Sequence, residues 1–142
     1  MTIQRMDVAY TAVATAENGR DGRVSSDDGR LDVVVNPPKA MGGSGAGTNP
    51  EQLFAAGYSA CFQGALGVVA RQEKAGISGP TVTASVSIGR TRAGGFGLEA
   101  AISVSIPDVD RATAQALVEK AHQVCPYSNA TRGNIQVELS VA

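Results

Sequence analysis

The chain has 142 residues, 12 Lys+Arg against 13 Asp+Glu for a formal net charge of −1, and only 2 Cys, 1 His and no Trp. The length suits a single domain over residues 1–142, able to bury roughly two-thirds of its unfolded surface without a metal or disulfide staple. The balanced charge excludes the basic excess of a nucleic-acid binder, no apolar run approaches the ~18–20 residues of a membrane span, and one His with two Cys falls short of the roughly four ligands of a Cys/His zinc site.

Met1 to Tyr10 lacks a basic start followed by an apolar run, so no signal peptide is read and the cytoplasm is the expected compartment. Asp7 to Ala14, rich in Val, Tyr and Thr, reads as a first strand. Asn18-Gly19 and Asp21-Gly22 are turn dipeptides, Arg23 to Ser26 a short strand, Asp27-Asp28-Gly29 a further turn, and Leu31 to Val35 a third strand stopped by Asn36-Pro37-Pro38. Met41 to Thr48 carries four glycines. Glycine-rich loops before helices can cradle phosphate, but no Lys-Ser/Thr ending follows and no strand leads directly in, so the stretch reads as a mobile connector.

Asn49 as N-cap, Pro50 at the first helical position and Gly76 beyond the end delimit a helix from Pro50 to about Lys74. It is apolar nearly all round, which predicts a buried central helix. Thr81 to Ile88 and Leu98 to Ile106 alternate with period two and read as half-buried strands joined by a hairpin loop from Arg90 to Gly97. A second helix spans about Asp110 to Val124, with Ala112, Ala116, Leu117 and Ala121 as its apolar stripe. Pro126 breaks it, Tyr127 to Arg132 forms a further helical turn, and Ile135, Val137, Leu139 and Val141 alternate along a last strand. The order β-β-β-α-β-β-α-β is an α+β pattern with helices covering mostly antiparallel strands.

Chemistry has little to work with beyond Cys61 and Cys125, 64 residues apart and outside any Cys-x-x-Cys motif. Both can be inert core thiols. Two features favour reactivity. Four of the six aromatic residues, Phe54, Tyr58, Phe62 and Tyr127, lie close to them in sequence, consistent with one apolar pocket. Cys125 also precedes Pro126 and stands at a helix end or N-cap, where a thiol gains thiolate character. Cys61, in mid-helix, gains no such help and needs a cation from Arg or Lys. His122, three residues before Cys125, allows a Cys–His dyad on spacing alone, but a His in a last helical turn more often serves the terminal carbonyls.

The run from Thr48 to Phe62, TNPEQLFAAGYSACF, resembles the first cysteine motif of the organic hydroperoxide resistance (Ohr) proteins, and Val124 to Asn134, VCPYSNATRGN, resembles their second. Gly19-Arg20-Asp21-Gly22 resembles their arginine turn, with Asn18 where a second Gly is common. The motifs match in order and spacing along the chain, and the wider family includes the OsmC proteins. The resemblance implies an OsmC-like α+β fold, with antiparallel sheets and two central helices in an intertwined homodimer. It implies a thiol peroxidase reducing organic (alkyl or fatty-acid) hydroperoxides without a cofactor or metal. Cys61 would be the peroxidatic residue, Cys125 the resolving residue, and Arg20 and Glu51 the supporting pair; Phe54, Tyr58, Phe62 and Tyr127 would line the substrate pocket. The electron donor would be a dihydrolipoyl group on a lipoylated protein or another dithiol. Arg23 could compete for the role of Arg20 but reads as a solvated strand residue, and Asp21 as a turn former. Glu51 and Cys61 are ten residues apart, about 15 Å along a helix, so they cannot touch within one straight helix. An OsmC-type peroxidase of broader specificity and a non-catalytic thiol redox sensor are the competing readings.

Overall fold

Short strands punctuated by turn residues build the first unit of the chain, which runs to Pro50; the second runs from Glu51 to Ala142. The computed structural model describes residues 3–142. In the first unit, β1 (Ala14–Glu17), β2 (Gly22–Ser26) and β3 (Asp32–Val35) form an antiparallel sheet in that order. The strand expected over Asp7 to Ala14 does not form: the ladder starts at Ala14, because the residues before it have no strand beside them among the described residues.

Asn18 and Gly19 link β1 to β2 with φ of 59° and 56°. Asn is the residue other than Gly that adopts this left-handed conformation most readily, which accounts for Asn at position 18. The Asp21 N–H donates to the Asn18 carbonyl at 3.1 Å, and the Asp21 carboxylate accepts from Asn36 Nδ2 at 2.7 Å. The glycine-rich stretch is hydrogen-bonded back on itself rather than a free connector. A 3-10 turn at Lys39–Met41 is followed by Gly43 and Gly45 N–H groups donating to Pro38 and Pro37. A Cβ on Gly43 would lie 2.1 Å from the Pro37 carbonyl oxygen, so only glycine permits this approach. Thr48 closes the loop against β3, donating to Val34 and accepting from Asn36 at 2.9 Å each.

The second unit opens with α1 (Pro50–Gln72). It is followed by β4 (Thr81–Arg90), β5 (Phe96–Ser105), α2 (Arg111–Val124), α3 (Pro126–Thr131) and β6 (Val137–Val141). The sheet order is β4-β5-β6. β4 and β5 are an antiparallel hairpin, but β6 runs parallel to β5, so this sheet is mixed rather than antiparallel. The reason is connectivity: α2 and α3 form a crossover that brings the chain back to run in the same direction.

α1 buries Tyr58, Phe62, Ala65, Leu66, Val69 and Ala70, a single stripe at helical spacing. The core continues through Ile102 and Val104 of β5 and Leu117, Val118 and Ala121 of α2 to Cys125. The expectation of a helix buried all round is not met. Ala56, Ala60, Gln63 and Gly64 are exposed, because one sheet and one helix layer cover only one side of α1. Nor does the reading that no apolar run approaches a membrane span hold. By length and composition, with a window mean hydropathy of 1.5, this 23-residue helix would suit one, although such a helix can equally be the core helix of a soluble fold.

Asp110 caps α2, accepting from the Thr113 N–H at 3.1 Å and from its hydroxyl at 2.6 Å. The buried stripe of α2 is Ala114, Leu117, Val118 and Ala121, whereas Ala112 and Ala116, expected inside, are exposed. Alanine is small enough to sit on either face, so composition alone misplaces it. Leu117→Ala should therefore lower the unfolding free energy by about 2–5 kcal/mol. Ala116→Ser should change it by less than about 0.5 kcal/mol. Urea unfolding of both variants distinguishes this stripe from the expected one.

Candidate active site

Cys61 stands on the middle of α1, half-buried, and its chemistry begins with what the neighbouring corner places against it. The chain turns between α2 and α3 at Cys125, which is at once the C-cap of the first helix and the N-cap of the second. Pro126 enforces that corner: it cannot continue α2 but suits the first position of α3. The corner brings the wholly buried Cys125 to α1, with its Sγ 3.5 Å from Cys61 Sγ. Both thiols are free. Closing this contact to the ~2.05 Å of a disulfide requires a movement of about 1.5 Å.

Burial pushes the Cys61 thiol up from its ordinary pKa, a hydrogen bond from the Tyr127 backbone N–H opposes the push, and the neighbouring Cys125 adds to it. The sequence predicts that the helix start at Pro126 benefits Cys125 and not Cys61. Cys125 does stand at the N-cap of α3, and an amide of the first turn of α3 also acts on Cys61. The register that carries Cys125 to α1 also carries there the Tyr127 amide, the first N–H after Cys125 because Pro126 has none.

Three aromatic rings gather beside the thiols. Phe54 and Tyr58 of α1 and Tyr127 of α3 have centroids 5.6–6.2 Å apart, tilted or edge-on to one another. Phe54 and Tyr127 are partly open to solvent, whereas Tyr58 and Phe62 expose no surface and belong to the core. Gly57 makes room for Tyr127: a Cβ there would lie 2.6 Å from its hydroxyl oxygen and 3.2 Å from two of its ring carbons. The Tyr58 hydroxyl is hydrogen-bonded to Ser128 Oγ at 2.8 Å and Thr131 Oγ1 at 3.1 Å, all three buried. Gly57, Ser128 and Thr131 were not singled out from the sequence. Their only signal is position, Gly57 and Ser128 about one helical turn from a cysteine and Thr131 nearly two.

The remaining site residues lie as follows. Arg20 is exposed in the turn between β1 and β2, in the first unit. Glu51 is half-buried in the first turn of α1, in the second unit. Arg23 is engaged by Asp32 through Nε–Oδ1 and Nη2–Oδ2 contacts of 2.7 and 2.5 Å, as suits a solvated strand residue. Among the described residues no group of three or more His, Cys, Asp or Glu could hold a metal ion.

His122 does not serve the terminal carbonyls of α2. Arg132 does, donating to the His122 carbonyl while also donating to Asn129 Oδ1 at 2.8 Å. The His122 Nδ1 atom is buried with no hydrogen-bond partner among the described residues, and burial, with the Arg132 charge, holds the imidazole below its ordinary pKa of 6.5.

Residues 42–140 match the OsmC-like protein family. The organic hydroperoxide resistance protein of Xanthomonas axonopodis pv. citri is 54% identical over 137 residues, 95% of this chain and 96% of that protein. The crystal structure of an organic hydroperoxide resistance protein from Elizabethkingia anophelis superimposes with a TM-score of 0.92 at 54% identity, covering 96% of this chain and 99% of the other. OhrB of Bacillus subtilis gives 0.87 at 46% identity, with 95% and 100% covered.

Two outcomes follow from this geometry. Because the unfolded chain protonates His122 more readily than the folded one, stability should be fully present above pH ~6.5 and fall as the pH drops below it. His122→Gln should flatten that slope in denaturation curves taken between about pH 7 and 5. Gly57→Ala should displace the Tyr127 ring, read as a change in near-ultraviolet tyrosine dichroism, and leave the far-ultraviolet helix signal intact.

Proposed function

The chain belongs to the OsmC family, among its organic hydroperoxide resistance proteins, and on that premise we propose that it is a cysteine-based peroxidase for organic hydroperoxides. The observation that carries the reading is the 3.5 Å contact between Cys61 and Cys125. In this reading the Cys61 thiolate attacks the distal peroxide oxygen. The O–O bond breaks, the alkoxide leaves and takes up a proton as an alcohol, and Cys61 is left as a sulfenic acid. The Cys125 thiol then displaces the hydroxyl, forming the Cys61–Cys125 disulfide and water. A dithiol of the dihydrolipoyl type, free or on a lipoylated protein, reduces the disulfide and is itself oxidised to a cyclic disulfide.

A half-buried thiol pushed upward by its surroundings needs positive charge to react at neutral pH. The Tyr127 amide supplies part of it. We assign the rest to Arg20, whose guanidinium stays charged at every relevant pH and would also stabilise the departing alkoxide. Glu51 would orient that guanidinium through a bidentate pair. Phe54 and Tyr127 would flank the entering alkyl or fatty-acid chain, favouring it over hydrogen peroxide.

The working form in this reading is a homodimer in the cytoplasm, with residues 1–142 acting as one functional domain and neither metal nor cofactor required. Support comes from the apolar surface the single chain leaves uncovered. Ile3, Met6, Val8 and Tyr10 are exposed, as are Ala56, Ala60 and Gly64 on the outer side of α1.

Steady-state reduction of cumene hydroperoxide with dihydrolipoamide as donor tests the proposal. Wild-type protein should turn over continuously, and Cys61→Ser should be inactive. Cys125→Ser should consume about one equivalent and leave a sulfenic acid that dimedone traps. Arg20→Ala should react about 100-fold more slowly and with a higher apparent Cys61 pKa. A full rate in Cys61→Ser would overturn the assignment. A single stoichiometric oxidation without turnover would make the protein a redox sensor.

A further inference from the structure

Two cross-links of different kinds join the same pair of segments. Tyr58 precedes Cys61 by three residues on α1, and Ser128 follows Cys125 by three on α3, so the Tyr58–Ser128 contact at 2.8 Å lies about one helical turn from the thiol pair on both sides. Thr131, a further three residues along, adds its hydroxyl at 3.1 Å from Tyr58 and also donates to the Ser128 carbonyl at 3.3 Å. All three side chains are buried, and the peroxide chemistry proposed above assigns a step to none of them. A buried three-hydroxyl cluster of this kind is rigid only when every member is partnered, as here.

We propose that Tyr58, Ser128 and Thr131 form a permanent clasp that sets the reach of Cys125 to Cys61, making them positioning residues for the disulfide step. α3 has six residues and a proline at its start, so little within it fixes its own placement on α1. The clasp supplies that placement through two buried hydroxyl–hydroxyl bonds between the two helices, independent of the contacts made to the Cys61 sulfur itself. The sulfurs need to close by about 1.5 Å, a displacement small enough that loosening α3 would forfeit much of their mutual effective concentration. The thiol pair is thus the switchable cross-link and the hydroxyl cluster the constant one. The use of the clasp in catalysis rests on the peroxidase reading, but its geometric claim does not.

The test is the thiol–disulfide equilibrium of the whole protein in buffers of reduced and oxidised dithiothreitol, which involves no peroxide. Oxidised dithiothreitol accepts two electrons and two protons from the Cys61–Cys125 pair and becomes the dithiol as the protein disulfide forms. Ser128→Ala and Tyr58→Phe should each lower the effective concentration of the two thiols by about 10- to 100-fold. Thr131→Val should lower it too, with Thr131→Ser restoring it. Ile102→Val, a core change on β5, should reduce thermal stability and leave the equilibrium alone. In the peroxide reaction, Ser128→Ala should prolong the life of the Cys61 sulfenic acid without slowing its formation. If Tyr58→Phe fails to fold, Ser128→Ala decides alone, since Tyr58 keeps Thr131 there. Wild-type effective concentration in folded Ser128→Ala, or an equal loss in Ile102→Val, overturns the clasp. Absence of peroxidase turnover in wild-type protein overturns the functional reading instead and leaves the equilibrium test standing.

Discussion

The second unit depends on one packing event, the seating of the α2–α3 corner on the buried stripe of α1. That stripe, from Tyr58 through Phe62 and Leu66 to Val69, takes its energy from apolar area removed from water and has no chemical preference of its own. Its consequence is chemical. Cys125 is wholly buried at the end of the same core cluster, and the corner that Pro126 enforces points it at Cys61. The seated corner also brings the Tyr127 amide and ring to α1, and the Ser128 and Thr131 hydroxyls hold α3 there through Tyr58.

Burial that brings two thiols together also works against their ionisation. A sulfur inside an apolar cluster is pushed toward the neutral form, and a second thiol beside it pushes the same way. The chain's single histidine is itself partly buried and held toward its neutral form. Backbone amides and the Arg and Lys cations can stabilise a thiolate, and they suit a redox reaction that needs a stabilised anion rather than a proton shuttle. The small inventory of reactive groups is therefore consistent with two-thiol chemistry.

Features governed by neighbours in sequence were legible there. Pro50 at a helix start, Pro126 as a break, the alternation along β4 and β5 and the turns at Asn18-Gly19 and Asp28-Gly29 all depend on local conformational preference. The long cysteine motifs pointed to the family directly. Features set by tertiary partners were not legible. The expected strand Asp7 to Ala14 has the composition of one, but before Ala14 it has no strand to pair with among the described residues. The parallel course of β6 follows from the crossover, which composition does not encode. Alanines 112 and 116 fit either face of α2, and the helix start capped by Cys125 also delivers an amide to Cys61. The hydroxyl cluster at Tyr58 needed the packing of α3 before it could be seen at all.

The central claim is that Cys61 and Cys125 of one chain form a reversible redox pair. Mass mapping of wild-type protein after one equivalent of cumene hydroperoxide tests it most directly. A single species lighter by two hydrogens, whose only linked fragments are those carrying Cys61 and Cys125 of the same chain, is the predicted result. Two free thiols, a linkage between separate chains, or oxygen retained on Cys61 while Cys125 stays reduced would contradict it.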